Sequence, residues 1–218
     1  MKKTIVAVMV AASAVLSAQA MATNTAQVTV LGEVSDAANS CVVTPTGTLN
    51  NGIVQLITVT VLGEVSDAAN SCVVTPTGTL NNGIVQLITV TTTEANAEAA
   101  GKLFKTQDFG FDVKDCAQGS TSPVTAVTVN VSGTSSSDAT ILDNTAANGA
   151  AGIGIGIQRV SDAHRVAFDG SDTMSESYSA TNGTQLKYTT GYVRTNAATP
   201  VTEGPVKGVA TFTIDYTL

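Results

Sequence analysis

Cys41, Cys72 and Cys116 are the side chains best able to do covalent chemistry in this sequence. No two are spaced as CxxC, and the single histidine, His164, is far from all three, so a zinc site is not what they point to. Disulfide formation fits them if the chain is exported. The other candidates fail on context. His164 could serve as a base, but no nucleophile elbow accompanies it, and it reads as a solvated loop residue. Asp108-Phe109-Gly110 spells the metal-binding triplet of protein kinases without the glycine-rich loop or HRD segment that gives the triplet its chemistry. The run from Gly152 to Ile157 alternates Gly with Ile, and the third glycine a dinucleotide fingerprint needs is Ile157. Asp169, Asp172 and Glu176 fall in a polar loop without EF-hand spacing. No catalytic residue, metal or cofactor is expected, and the chain is not read as an enzyme.

The elements that would position these residues are almost all strands. Gln27–Val34, Val85–Thr91, Phe109–Cys116, Val124–Val131, Ala151–Val160, Leu186–Val193 and Val209–Leu218 are rich in Val, Ile and Thr, and most alternate apolar with polar. Asn81-Asn82-Gly83 marks a turn, and Pro76 bars a central strand just after Cys72. Only Glu94–Gly101 suggests a helix, of one or two turns. Short strands at this spacing predict an all-β sandwich. The Gly-Ile run is then a strand packed closely against its neighbours.

The first residues supply the export signal. Lys2 and Lys3 precede an apolar run from Ile5 to Leu16 and a small-x-small site ending at Ala20. That run is short of the ~20 residues a membrane span needs, so 1–20 is read as a secretory signal peptide, cleaved after Ala20 or Ala22. Its loss moves the formal charge from -7 to about -9. An acidic surface argues against nucleic acid as a partner. Charged residues are only 12% of the chain, and Thr, Ser, Asn, Gly and Ala dominate, as suits copies that pack side by side.

A direct repeat complicates this simple plan. Val28–Thr60 recurs without a substitution as Val59–Thr91, an offset of 31 residues. A solenoid needs at least three units with divergent caps, so the repeat reads as one N-terminal segment present twice, by a recent tandem duplication or by an artefact of sequence assembly, rather than as an architecture. Cys41 and Cys72 are therefore the same cysteine twice. One pairs with Cys116 and the other is surplus.

In order along the chain, the signal peptide, GEVSDAANSCVV (Gly63–Val74), FGFDVKDC (Phe109–Cys116), IGIQRVSDAHRVAFDG (Ile155–Gly170), YVRTNAATP (Tyr192–Pro200) and GVATFTIDYTL (Gly208–Leu218) resemble the major subunits of type 1 fimbriae, which are chaperone-usher pilins. The resemblance covers the mature chain apart from the extra copy. It implies an incomplete immunoglobulin-like β-sandwich whose missing strand is donated. An open edge of that kind must be covered. In the family a periplasmic chaperone covers it first, and the N-terminal extension of the next subunit replaces the chaperone by β-augmentation, at an outer-membrane usher. On this sequence the resemblance implies a donor strand within Ala22–Val34, with Ala26, Val28 and Val30 facing inward. It implies a chaperone-recognised groove strand carrying Phe212, Ile214 and Tyr216. The function implied is that of a structural subunit of a surface fimbrium, supporting adhesion, with a minor adaptor or adhesin-type module as the alternative.

Position then chooses between the copies. If the first copy folds, 31 residues must bulge from within the sandwich, whereas if the second folds they lengthen a tail. The expectation is a Cys72–Cys116 disulfide, an N-terminal extension plus extra copy over 21–58, and a pilin domain over 59–218. In this arrangement Ile57 stands before the domain where Ala26 stands before the first copy. Either the distal segment donates through a long tether, or the tail folds back into the chain's own groove.

Overall fold

The computed structural model describes residues 24–35, 72–116, 123–136 and 138–217. Cys41 and the segment Gln55–Val61, which would be the proximal donor, lie outside them. The strands are β1 (Asn24–Ser35), β2 (Val73–Gly78), β3 (Ile84–Gln86), β4 (Val90–Thr91), β5 (Leu103–Lys114), β6 (Ala126–Gly133), β7 (Ile153–Arg159), β8 (Asp169–Ser177), β9 (Thr184–Arg194) and β10 (Gly204–Thr217). They form two sheets. One runs β3-β1-β10-β6-β8, with β4 also paired to β1; the other runs β2-β5-β9-β7. The sandwich follows from the alternation of side chains across each strand. Phe109, Phe111 and Val113 on β5, Val127, Val129 and Val131 on β6, and Ile153, Ile155 and Ile157 on β7 are all buried.

Local chemistry sets the departures from regular strand. Val85–Thr91 does not run as one strand: it breaks between β3 and β4, where the Leu87 amide turns to donate to the Leu31 carbonyl at 2.7 Å. The two-residue turn at Asn82-Gly83 has positive φ at both positions, 50° and 75°, which Asn and Gly tolerate. The helix α1 (Thr92–Ala97) starts before the expected Glu94 and ends short of Gly101. Thr91 caps it, accepting from the Glu94 amide while the Glu94 carboxylate accepts from the Thr91 amide. Pro76 sits on β2, an edge strand, where its missing amide does no harm.

The glycines of β7 confirm a close approach rather than a phosphate loop. A Cβ at Gly154 would lie 2.5 Å from the Leu142 carbonyl oxygen, and one at Gly156 would lie 2.2 Å from Nη2 of Arg165. The Asp169–Glu176 stretch, expected as loop, is the edge strand β8 paired with β6. Its signal was hidden because an edge strand with one core-facing residue, Met174, carries little apolar alternation.

Candidate functional site

The site is the seam of the six-stranded sheet in which β1 lies. On one side β1 pairs antiparallel with β10, from Asn24 opposite Ile214 to Val34 opposite Gly204. On the other it runs parallel to β3 and β4, with Val30 opposite Val85 and Val34 opposite Val90. The Thr29 amide donates to the Gly83 carbonyl at 2.7 Å, extending the contact past the end of β3. Residues 36–71 separate this strand in sequence from the rest of the sandwich. Lifting β1 out would expose the backbone edges of both β10 and β3, together with apolar core beneath them.

Apolar burial supplies much of the seating. Val28, Val30 and Val34 are at most 1% exposed, and burying a side chain of this size stabilises by roughly 1.5 kcal/mol or more. Gly32 continues the same inward series with no side chain at all. A Cβ there would lie 2.1 Å from the Tyr192 hydroxyl oxygen and 2.4 Å from Cζ, and Tyr192 is itself fully buried. Tyr192 therefore fills the space below the strand at that point and admits only glycine. Beneath the other end lies Phe212, with its ring centroid 5.1 Å from Tyr188, 5.3 Å from Phe111 and 5.9 Å from Phe109.

Of the residues expected at the donor strand, Val28 pairs with Ala210 and Val30 with Gly208, and both side chains are buried; Ala26 takes the register position opposite Phe212. On β10, Phe212 and Ile214 are fully buried and Tyr216 packs partly against the core. The strand extends past Val34 to Ser35, and Gly32 and Val34 are inward positions that the family resemblance alone did not supply. Alternation could have found them, since Val28, Val30, Gly32 and Val34 share one parity.

Thr29 is the misfit. Its side chain is fully buried, and Oγ1 has no hydrogen-bond partner among the described residues. A buried hydroxyl without a partner costs on the order of 1–3 kcal/mol. Thr29→Val is expected to raise stability by about 1 kcal/mol, or ~2–4 °C in Tm for a domain of this size, by differential scanning fluorimetry.

Cys72 and Cys116 form a disulfide that ties the start of β2 to the end of β5. The remaining candidates join the two sheets at their edges. His164 is no free loop base: its Nε2 lies 2.7 Å from Oδ2 of Asp172, which also accepts from the Ala167 amide at 3.0 Å. Glu176 accepts from the Ser161 hydroxyl at 3.1 Å and lies 3.6 Å from Arg159, which also pairs with Asp162. Asp169 accepts from Ser171 at 2.6 Å. Burial pushes the Asp172 carboxyl up, but the Ala167 amide, His164 and Arg159 outweigh it and hold it below the usual carboxylate range. The hydrogen bond from Arg159 holds Asp162 well below that range.

A carboxyl whose pKa is lower folded than unfolded stabilises the fold above its unfolded value of about 3.9, and that contribution is lost as pH falls through the folded value. The urea midpoint is therefore expected to drop as pH falls below about 4, and Asp172→Asn to make that acid limb shallower.

Residues 56–217, which take in the whole second copy and everything after it but the final residue, match the family described as fimbrial protein. No curated protein matches the sequence. Among solved structures, the fold is similar to the antigen and type I fimbria protein BPSL1626 of Burkholderia pseudomallei, with a TM-score of 0.52 at 18% identity, covering 89% of this chain and 99% of that one. It is similar also to the P pilus rod subunit PapA, with a TM-score of 0.52 at 21% identity, covering 67% of this chain and 99% of that one. These identities carry the fold alone. The family match spans most of the sequence and ends on β10: the chain belongs to the fimbrial protein family.

Proposed function

We propose that this chain is a structural subunit of a surface fimbrium that polymerises by donor-strand exchange, an N-terminal strand of one copy completing the sandwich of the next. One observation carries this reading: the sheet contains a strand, β1, that is joined to the remainder only through residues 36–71 and is held by β10 on one side and by β3 and β4 on the other. A strand so connected is exchangeable between copies without altering a contact. Val28 and Val30, with Ala26 in register, act as the donor, and Phe212, Ile214 and Tyr216 belong to the strand that receives it. A periplasmic chaperone would cover the groove before assembly and an outer-membrane usher would order the exchange. The route is export behind the 1–20 signal peptide, through the periplasm, to the cell surface. The domain is 59–218 and the extension 21–58, which agrees with a disulfide that uses the second copy's cysteine.

Electron microscopy of cells producing this chain as the sole pilin, with its chaperone and usher, tests the proposal. Rods containing the chain are expected. Their absence, with the chain found in trace amounts within fibres only when a second pilin is also produced, would make it an adaptor instead.

A further inference from the structure

The strand that fills the groove belongs to the same chain, and the geometry fixes how far its connection must reach. Ala26 lies opposite Phe212, whose ring packs on Phe111 of β5. Six residues later, Gly32 abuts Tyr192, which pairs with Phe104 at the other end of β5. Thus β1 runs alongside β5 from the level of Phe111 back to that of Phe104. Val73, where the chain resumes after residue 71, pairs with Lys114, beyond Phe111 in the opposite direction. From Ser35 to Cys72 the chain must therefore return along nearly the full sandwich, about 35–40 Å at ~3.3 Å per strand residue.

The interval 36–71 holds 36 residues. A flexible segment of this length has a root-mean-square reach of about 30–36 Å, which is close to the distance required. With a single copy, only Asp67–Ser71 would intervene between the end of the donor strand and the cysteine, and six links reach at most ~20–22 Å. A single-copy chain cannot seat this strand in its own groove in this register. A two-copy chain can.

We infer that the 31-residue repeat turns an exchange strand into a self-capping one: wherever chaperone and usher do not hold the groove open for exchange, this chain closes its own groove with Asn24–Ser35 and stands as a monomer. This rests on the reading of β1 as the donor strand. The contacts of β1 with β10, β3 and β4 are the same whether the strand comes from its own chain or from a second copy, so they cancel. What remains is the effective concentration of the tethered strand, on the order of millimolar when tether and span match. At 10 µM subunit the closed monomer is then favoured by about 100-fold.

The test uses the mature chain, a variant lacking residues 28–58, and a variant in which 36–66 are replaced by a Gly/Ser segment of equal length. The probe is a fluorescent peptide of sequence Asn24–Ser35. The parent chain is expected to run as a monomer at 10 µM by light scattering and to exclude the peptide, while the deletion variant polymerises or takes up one peptide per chain. The Gly/Ser variant is expected to behave as the parent, because tether length and not tether sequence sets closure. A parent chain that takes up peptide as readily as the deletion variant would overturn self-capping and leave the donor-strand reading intact. A folded deletion variant that neither binds peptide nor polymerises would instead sink the donor-strand reading. If the deletion variant does not fold, the Gly/Ser variant decides: a monomer that excludes peptide supports the inference, and an open groove refutes it.

Discussion

Gly32→Val is expected to expel β1 from the sheet while the other sheet stays intact. The added side chain starts where the Tyr192 ring already is, since a Cβ at Gly32 would lie 2.1 Å from the hydroxyl oxygen, 2.4 Å from Cζ and 2.5 Å from Cε1. Tyr192 has no room to yield: it is fully buried, lies in the interior strand β9 between β5 and β7, and packs on Phe104 at 5.7 Å. Overpacking a filled site costs typically 1–3 kcal/mol, and the absence of slack puts this case at the upper end, ~3 kcal/mol or a roughly 100-fold weaker seating. Amide hydrogen exchange reads the outcome directly. Amides of β10 that pair with β1 should lose protection, and those of β5 and β9 should keep it. Tyr192→Phe in the same chain should not restore protection, because the ring carbons obstruct as much as the hydroxyl does. Gln27→Val, at an exposed position of the same strand, should change little. Retained protection of β10 in Gly32→Val would show that the strand is not held in this register.

The sandwich was legible because period-2 alternation is a strong signal wherever one face is buried, as in Phe109-Phe111-Val113 and Val127-Val129-Val131. The same rule explains what was missed. On β8 most side chains face water or the sheet edge, so polar residues such as Asp169, Asp172 and Glu176 carried no strand signal and their pairing with β6 went unread. The break between β3 and β4 was invisible because it is made by a hydrogen bond from Leu87 to Leu31, residues brought together only by the fold. On β1, the buried valines Val28 and Val30 followed from alternation and resemblance, whereas the tight approach at Gly32 did not. Its meaning depends on Tyr192, 160 positions away, and no local pattern encodes such a pair. His164 looked free for the same reason: Asp172 is its partner only after β8 folds beside the 160–168 segment.

Phe212→Ala is expected to be the most damaging single truncation on β10. Phe212 is fully buried where β10 faces the opposite sheet, and its ring meets three others, tilted on Phe111 and edge-on to Phe109 and Tyr188. Truncating a buried phenylalanine costs about 3–5 kcal/mol, and lost aromatic pairings place this site toward the top of that range. Against a total stability of ~5–15 kcal/mol the loss is large, and for a domain of this size it corresponds to roughly 10 °C in Tm. Tyr216 lies farther along the same strand and is only partly buried, so Tyr216→Ala should cost less than half as much. The comparison by thermal or urea unfolding separates two views of β10. If the strand is held mainly by its backbone ladder with β1 and β6, both variants will lose similar, small amounts. If the aromatic cluster anchors it, Phe212→Ala alone will approach the unfolding threshold and loosen β1 as well, because the ring at the register position of Ala26 is part of the surface on which that strand is seated.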